Sequence, residues 1–138
     1  MRDLGLPAHW APRLLSILRI VAALIFMAHG LQKLIGFPPS DMPPPEAFSF
    51  MWIGGVLEAV GGFLLLIGLF TRPTAFILSG EMAVAYWMFH APQSPYPAVN
   101  GGDAAILYCF VFLYIAAAGP GPWSVEAMRS RGAAREAR

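Results

Sequence analysis

The sequence predicts an all-α integral membrane protein, a bundle of four helices with both termini on the cytoplasmic side. Three observations carry that expectation: a surplus of apolar residues, a shortage of charge, and four apolar stretches separated by turn-forming residues. Of the 138 residues, 57% are hydrophobic and 12% are charged, whereas a soluble domain carries about 45–50% apolar and about 25% charged residues. Mean hydropathy is +0.59. So few charges cannot coat a water-facing surface. Nine Lys and Arg against eight Asp and Glu leave a net charge of +1, which supplies no broad basic face for nucleic acid. The aliphatic and aromatic content excludes disorder. A single cysteine, Cys109, permits neither an internal disulfide nor a thiolate metal cluster.

A spanning helix needs about 20 mostly apolar residues. Four stretches qualify, at about residues 12–35, 48–70, 73–91 and 102–118. Gly36-Phe37-Pro38-Pro39 and Pro43-Pro44-Pro45 close the first, and Thr71-Arg72-Pro73 turns between the second and third. A turn-rich loop over 92–102 precedes the fourth, which Gly119-Pro120-Gly121-Pro122 ends. No hydrophilic run is long enough for a second domain, so residues 1–138 read as one transmembrane domain with a short basic tail. Ala28-His29-Gly30 has the small-x-small form of a signal-cleavage site, but Arg19 interrupts the apolar stretch, which is also long for a signal. The first span is therefore expected to stay.

Orientation follows from Lys and Arg near the span ends. Arg2 and Arg13 precede the first span, Arg72 lies between the second and third, and Arg129, Arg131, Arg135 and Arg138 follow the fourth. The loops over 36–47 and 92–101 contain neither residue type, which puts both termini inside. Trp10 and Trp123 would mark the inner interface, and Trp52, Trp87 and Tyr96 the outer one. The tail from Ser124 reads as a short polar helix or a disordered segment whose arginines suit anionic lipid.

The candidate functional residues are the polar ones inside the spans: Arg19, His29, Gln32 and Lys33 in the first, Glu58 in the second, and Glu81 in the third, with His90 and Asp103 near outer ends. A charge at mid-bilayer costs at least about 2.5–3.5 kcal/mol, so each is expected to face inward and find a partner. Depth, at about 1.5 Å per residue, proposes the partners. Arg19 and Glu81 match at roughly 10–12 Å from the inner side. From the outer side, Lys33 reaches down toward Glu58, with His29 nearby. Gly54, Gly61 and Gly68, with Gly55 and Gly62 beside them, mark a face on which Glu58 also lies and where helix backbones can approach closely.

These residues leave two readings open: buried ion pairs that only fix helix register, or a polar pocket that binds a small molecule or relays protons. His29 and His90 are a weak sign of haem or metal, because no spacing motif accompanies them, and no metal site is expected. Cys109 reads as a small buried hydrophobe. Asn100-Gly101-Gly102-Asp103 reads as a turn into an acidic helix start, with Asp103 near the mouth of any outer pocket. There is no phosphate loop, nucleophile elbow, HExxH or CxxC.

The chain resembles the DoxX family over about residues 15–126. The matching pieces are Leu18-Arg19, Phe26-Met27-Ala28-His29-Gly30-Leu31-Gln32-Lys33-Leu34, Gly55-Val56-Leu57-Glu58-Ala59-Val60-Gly61-Gly62, Gly68-Leu69-Phe70-Thr71-Arg72, Asn100-Gly101-Gly102-Asp103, and Gly119-Pro120-Gly121-Pro122-Trp123-Ser124. Asp103 departs from the family, where many relatives carry Glu. The family motif maps onto Arg19, His29, Lys33, Glu58 and Arg72. The resemblance implies a four-span bundle in a prokaryotic cytoplasmic membrane. It also implies a link to quinone and thiol redox chemistry, since a DoxD-like relative is part of a thiosulfate:quinone oxidoreductase.

Taken together, the expected function is a membrane subunit of a redox or stress system, working with a redox partner protein and an external electron donor. It would bind a quinone or a similar apolar carbonyl compound, with no other cofactor evident. Glu58, Lys33 and His29 are the candidate catalytic residues. Lys33, His29, Glu58, Arg19, Glu81 and His90 are the candidate ligand-binding set, with Arg19 and Glu81 holding the bundle. Two other functions remain in view: an anchor or assembly subunit without chemistry, and a carrier or exporter that would want a dimer packed through the glycine-lined second span.

Overall fold

In a computed structural model the described residues are 7–137. Arg2 and Arg138, which enter the charge count for orientation, lie outside them. Among the described residues there is no strand, and six helices follow one another: α1 Trp10–Ile35, α2 Phe50–Ile67, α3 Thr71–Ala85, α4 Pro97–Asn100, α5 Asp103–Ala118 and α6 Val125–Glu136. α1 and α2 are each long and apolar enough to cross a membrane. The third apolar stretch is not one regular α-helix. Its last turn, Tyr86–His90, widens into a π turn, a feature that often marks functional sites.

Each helix stops where its sequence stops it. Gly36 (φ 70) and Gly68 (φ 69) end α1 and α2 in the left-handed conformation that glycine adopts without strain. Ser49 caps α2 through Trp52 N–H, and Ser124 caps α6 through Ala127 N–H. The polar tail is therefore a helix over Val125–Glu136.

The closest packing follows the ring α1, α2, α3, α5 and back to α1. α1 buries Ser16, Arg19, Ala23, Phe26 and Gly30, a three-and-four spacing that keeps one face inward. Phe26, Phe112, Leu65, Leu78 and Ile115 fill the centre. Outward faces are apolar too: Val21, Leu24, Val60, Phe63, Phe76 and Phe110 are all exposed. An apolar exterior on a small helical protein is the arrangement that lipid stabilises and water does not.

The glycines of α2 serve two neighbours at once. A Cβ on Gly62 would come within 2.8 Å of Met27 Cβ, and one on Gly30 within 2.7 Å of the Gly55 carbonyl oxygen, so α1 and α2 touch backbone to backbone. Gly61 instead faces α3, where a Cβ would meet Leu78 Cδ2 at 2.8 Å. The glycine stripe is thus occupied inside the chain. It is not a free face for pairing two copies, as the carrier reading had supposed.

Gly62→Leu should cost about 1–3 kcal/mol by overpacking, read as a lower unfolding midpoint in detergent. Gly80→Ala should raise the midpoint slightly, because a Cβ at Gly80 meets nothing within 4 Å and alanine favours the helix by about 0.5–1 kcal/mol.

Candidate ligand-binding site

Two groups of polar side chains occupy opposite ends of the helices. At the end where α2 and α5 finish, Arg19 is fully buried. Its Nε donates to the Pro120 carbonyl at 2.8 Å, and Nη1 donates to those of Leu65 and Leu66, the latter at 2.8 Å. Nη2 donates to the Trp123 carbonyl. Arg72 repeats the device on α5, donating to the Ala116 carbonyl at 3.0 Å and also to Ala117. Both guanidinium groups sit where helix carbonyls run out of partners and the helix dipole is negative. Glu126 does the converse, accepting from Thr71 N–H at 2.7 Å at the start of α3.

This overturns the expected pairing of Arg19 with Glu81. The two do not share a depth: Arg19 lies beside Leu65 and Leu66 at the finish of α2, Glu81 lies beside Gly54 near its start, and Arg19 is fully engaged by backbone oxygens. Arg19 is also absent from the pocket described below, so of the expected ligand-binding set it stands apart.

At the other end, Lys33 Nζ meets Glu58 Oε1 at 2.6 Å, the salt bridge found among the described residues. The close approach of α1 to α2 delivers it, since Lys33 Cβ is one of the atoms a Cβ on Gly55 would touch. Glu58 is only 4% exposed, and its Oε2 has no hydrogen-bond partner. Glu81 reaches across from α3, with Oε1 lying against Gly54, one helical turn from Glu58 on α2. Glu81 Oε2 is likewise buried and unpartnered.

These groups line a pocket of about 660 Å³ that also includes His29, His90, Phe26 and Tyr108. That volume lies in the range of about 300–1,000 Å³ usual for small-molecule sites. His29 Nδ1 donates to the Ile25 carbonyl of its own helix at 2.9 Å. His90 Nδ1, at the end of the π turn, donates to the Asn100 carbonyl at 3.0 Å. Asn100 is held in turn, its Nδ2 donating to Ser94 O and its Oδ1 accepting from Gly102 N–H. Asp103 opens α5 as expected but is not among the lining residues.

The structure therefore brings together His29, Lys33, Glu58, Glu81 and His90. Tyr108 was not singled out in the sequence, although it lines the pocket and packs its ring 5.1 Å from Phe26 and 5.5 Å from Phe112. An aromatic residue one turn before Phe112 and one turn after Ala104 was the available signal. Cys109 is partly buried, and Ser79 Oγ donates to its carbonyl at 2.7 Å.

A sequence model of the DoxX family matches residues 14–91, which hold α1 through the π turn. The chain belongs to the DoxX family. It is 41% identical over 122 residues to an uncharacterised protein of Haemophilus influenzae, covering 85% of this chain and 91% of that one. It is 29% identical over 154 residues to an uncharacterised membrane protein of Mycobacterium tuberculosis, covering 91% and 86% respectively. No solved structure matches. The matched region contains Arg19, Lys33, Glu58 and Glu81, while Tyr108 and the α5 wall of the pocket lie beyond it. As a membrane protein of this family, it has the bilayer as its immediate surroundings.

In a double-mutant cycle, Arg19→Met should lower stability by about 3 kcal/mol or more, because its charge-assisted bonds to carbonyls vanish. Glu81→Leu should not rescue it, and the coupling should stay within about 0.5 kcal/mol. Unfolding by denaturing detergent measures all four corners of the cycle.

Proposed function

We propose that this DoxX-family protein takes a small, largely apolar molecule from the bilayer into the pocket beside Lys33 and Glu58. The observation that carries the proposal is Glu58: a buried carboxyl with one oxygen on Lys33 and the other unpartnered, on the wall of a ligand-sized cavity. A pair serving only to fix register would be expected to satisfy both oxygens, because an unsatisfied buried polar atom costs about 1–3 kcal/mol.

In this proposal the chain is one domain that spans a bacterial cytoplasmic membrane four times, through α1, α2, α3 with its π turn, and α5. Both termini lie inside. Support comes from the charge distribution. Arg13, Arg72, Arg129, Arg131 and Arg135 fall at the end where Arg19 binds the α2 carbonyls, while the pocket end has Lys33 as its cation. Exposed Trp10 and Trp123 at one end, and Trp87 and Tyr96 at the other, suit two membrane interfaces.

The family resemblance supplies a setting, a quinone- or thiol-linked redox or stress system with a partner protein that handles electrons. A quinone presents only hydrogen-bond acceptors. The N–H groups of Lys33 not used by Glu58 and the Tyr108 hydroxyl are the donors that could hold it, since His29 and His90 each direct Nδ1–H to a backbone carbonyl. In this redox version Lys33 holds the ligand oxygen and Glu58 holds the proton that accompanies it. The anchoring reading draws on the other end of the molecule, where Arg19, Arg72 and Glu126 act on backbone alone.

Native mass spectrometry of the protein released gently from its own membrane tests the proposal. A small-molecule adduct is expected on the parent and should be lost in Lys33→Met and Glu58→Gln variants, measured where both remain folded although loss of the ion pair lowers their unfolding midpoints. A protein partner with no small-molecule adduct would instead support the anchoring reading.

A further inference from the structure

Beside the Lys33 ammonium and the Tyr108 hydroxyl, the polar groups around the pocket are acceptors. Glu58 Oε2 and Glu81 Oε2 are buried acceptors without donors. On the two histidines, Nδ1–H is taken by the carbonyls of Ile25 and Asn100, so the neutral ring offers Nε2 as an acceptor. Lys33 is the cation of the pocket, and it is already paired with Glu58. Two carboxyl groups thus stand near one ammonium, which is bonded to Glu58 alone.

A neutral carbonyl ligand would leave both carboxyl oxygens unpartnered. A ligand that donates hydrogen bonds and carries positive charge would satisfy both and balance the second carboxylate. The rest of the wall agrees. Phe26 and Tyr108 pack at a tilt, 5.1 Å apart, along one side, and Phe50 and Phe89 stand 6.0 Å apart on another. Aromatic rings attract a desolvated cation as well as an apolar body.

We propose that the pocket takes an organic ammonium, a protonated amine on an apolar or aromatic body, with its N–H groups shared between Glu58 Oε2 and Glu81 Oε2. The inference rests on the pocket being a ligand site but not on any redox role. Glu81 supplies the charge that makes the site selective, whereas Glu58 is shared with Lys33 and also holds α1 to α2.

The test uses the full chain in lipid nanodiscs, with empty nanodiscs subtracting partition into lipid. The probes are 4-phenylbutylamine, its uncharged counterpart 4-phenylbutanol, and a short-chain benzoquinone. The amine should bind at least about tenfold more tightly than the alcohol or the quinone, as a charge-assisted hydrogen bond in place of a neutral one implies. Glu81→Gln should remove that preference while still binding the alcohol, and Glu81→Asp should keep it. Because Glu81 has no ion-pair partner among the described residues, these variants should retain the parent's unfolding midpoint. Equal binding of all three probes by the parent would overturn the ammonium assignment and leave the pocket standing as a site for apolar ligands. A preference for amine that survives in Glu81→Gln would overturn it as well. Failure of every probe to bind the folded parent would overturn both the assignment and the pocket reading on which it rests.

Discussion

The backbone contact between α1 and α2 is the constraint on which the rest of the structure depends. Glycines at positions 30, 55 and 62 remove the side chains that would hold the two helices apart. At that separation Lys33 reaches Glu58 at 2.6 Å, and Arg19 reaches the last carbonyls of α2. Neither charge would be tolerable among apolar helices without such a partner. Small residues and buried charges thus form one device: the first sets the spacing, and the second makes any other spacing costly.

The two charged ends do different work because their partners differ. Arg19, Arg72 and Glu126 bind backbone groups at helix termini, where carbonyls or N–H groups lack partners in any helix. These bonds close the bundle, and every group that they bind belongs to the chain itself, although Thr71 Oγ1 is buried at this end without a partner. Lys33 pairs with one oxygen of Glu58, Glu81 pairs with neither, and the residues whose oxygens are left over line a cavity. Buried polar atoms left unsatisfied beside a ligand-sized space are the physical mark of a site, as opposed to a staple. The π turn of Tyr86–His90 belongs to that same end, where His90 donates to the Asn100 carbonyl.

Much of this was legible in the sequence, for identifiable reasons. The helices follow from apolar runs bounded by Gly and Pro, and the Lys33–Glu58 contact follows from depth along two adjacent helices. Five of the six residues expected to bind a ligand do line the pocket. Arg19 was misplaced because residue counts from assumed span ends do not fix relative height: Arg19 lies beside the last carbonyls of α2, whereas Glu81 lies beside Gly54 near its start. Its true partners are carbonyl oxygens, which every residue carries and no sequence pattern marks. The same blindness hid the Arg72 contacts on α5 and the histidine N–H groups spent on backbone. Tyr108 was missed because an aromatic residue in an apolar helix carries no distinguishing sign until its neighbours are known.

The central claim is that the space between Glu58 and Glu81 is a binding site and not a packing defect. A crystal structure of the protein grown in a lipid mesophase, from material that has never left its native lipids, tests this most directly. The account predicts non-protein density within hydrogen-bond distance of Glu58 Oε2 and Glu81 Oε2, with Lys33 still on Glu58 Oε1. A pocket closed by side chains, or Lys33 shared between both carboxyl groups so that no oxygen is left over, would contradict it.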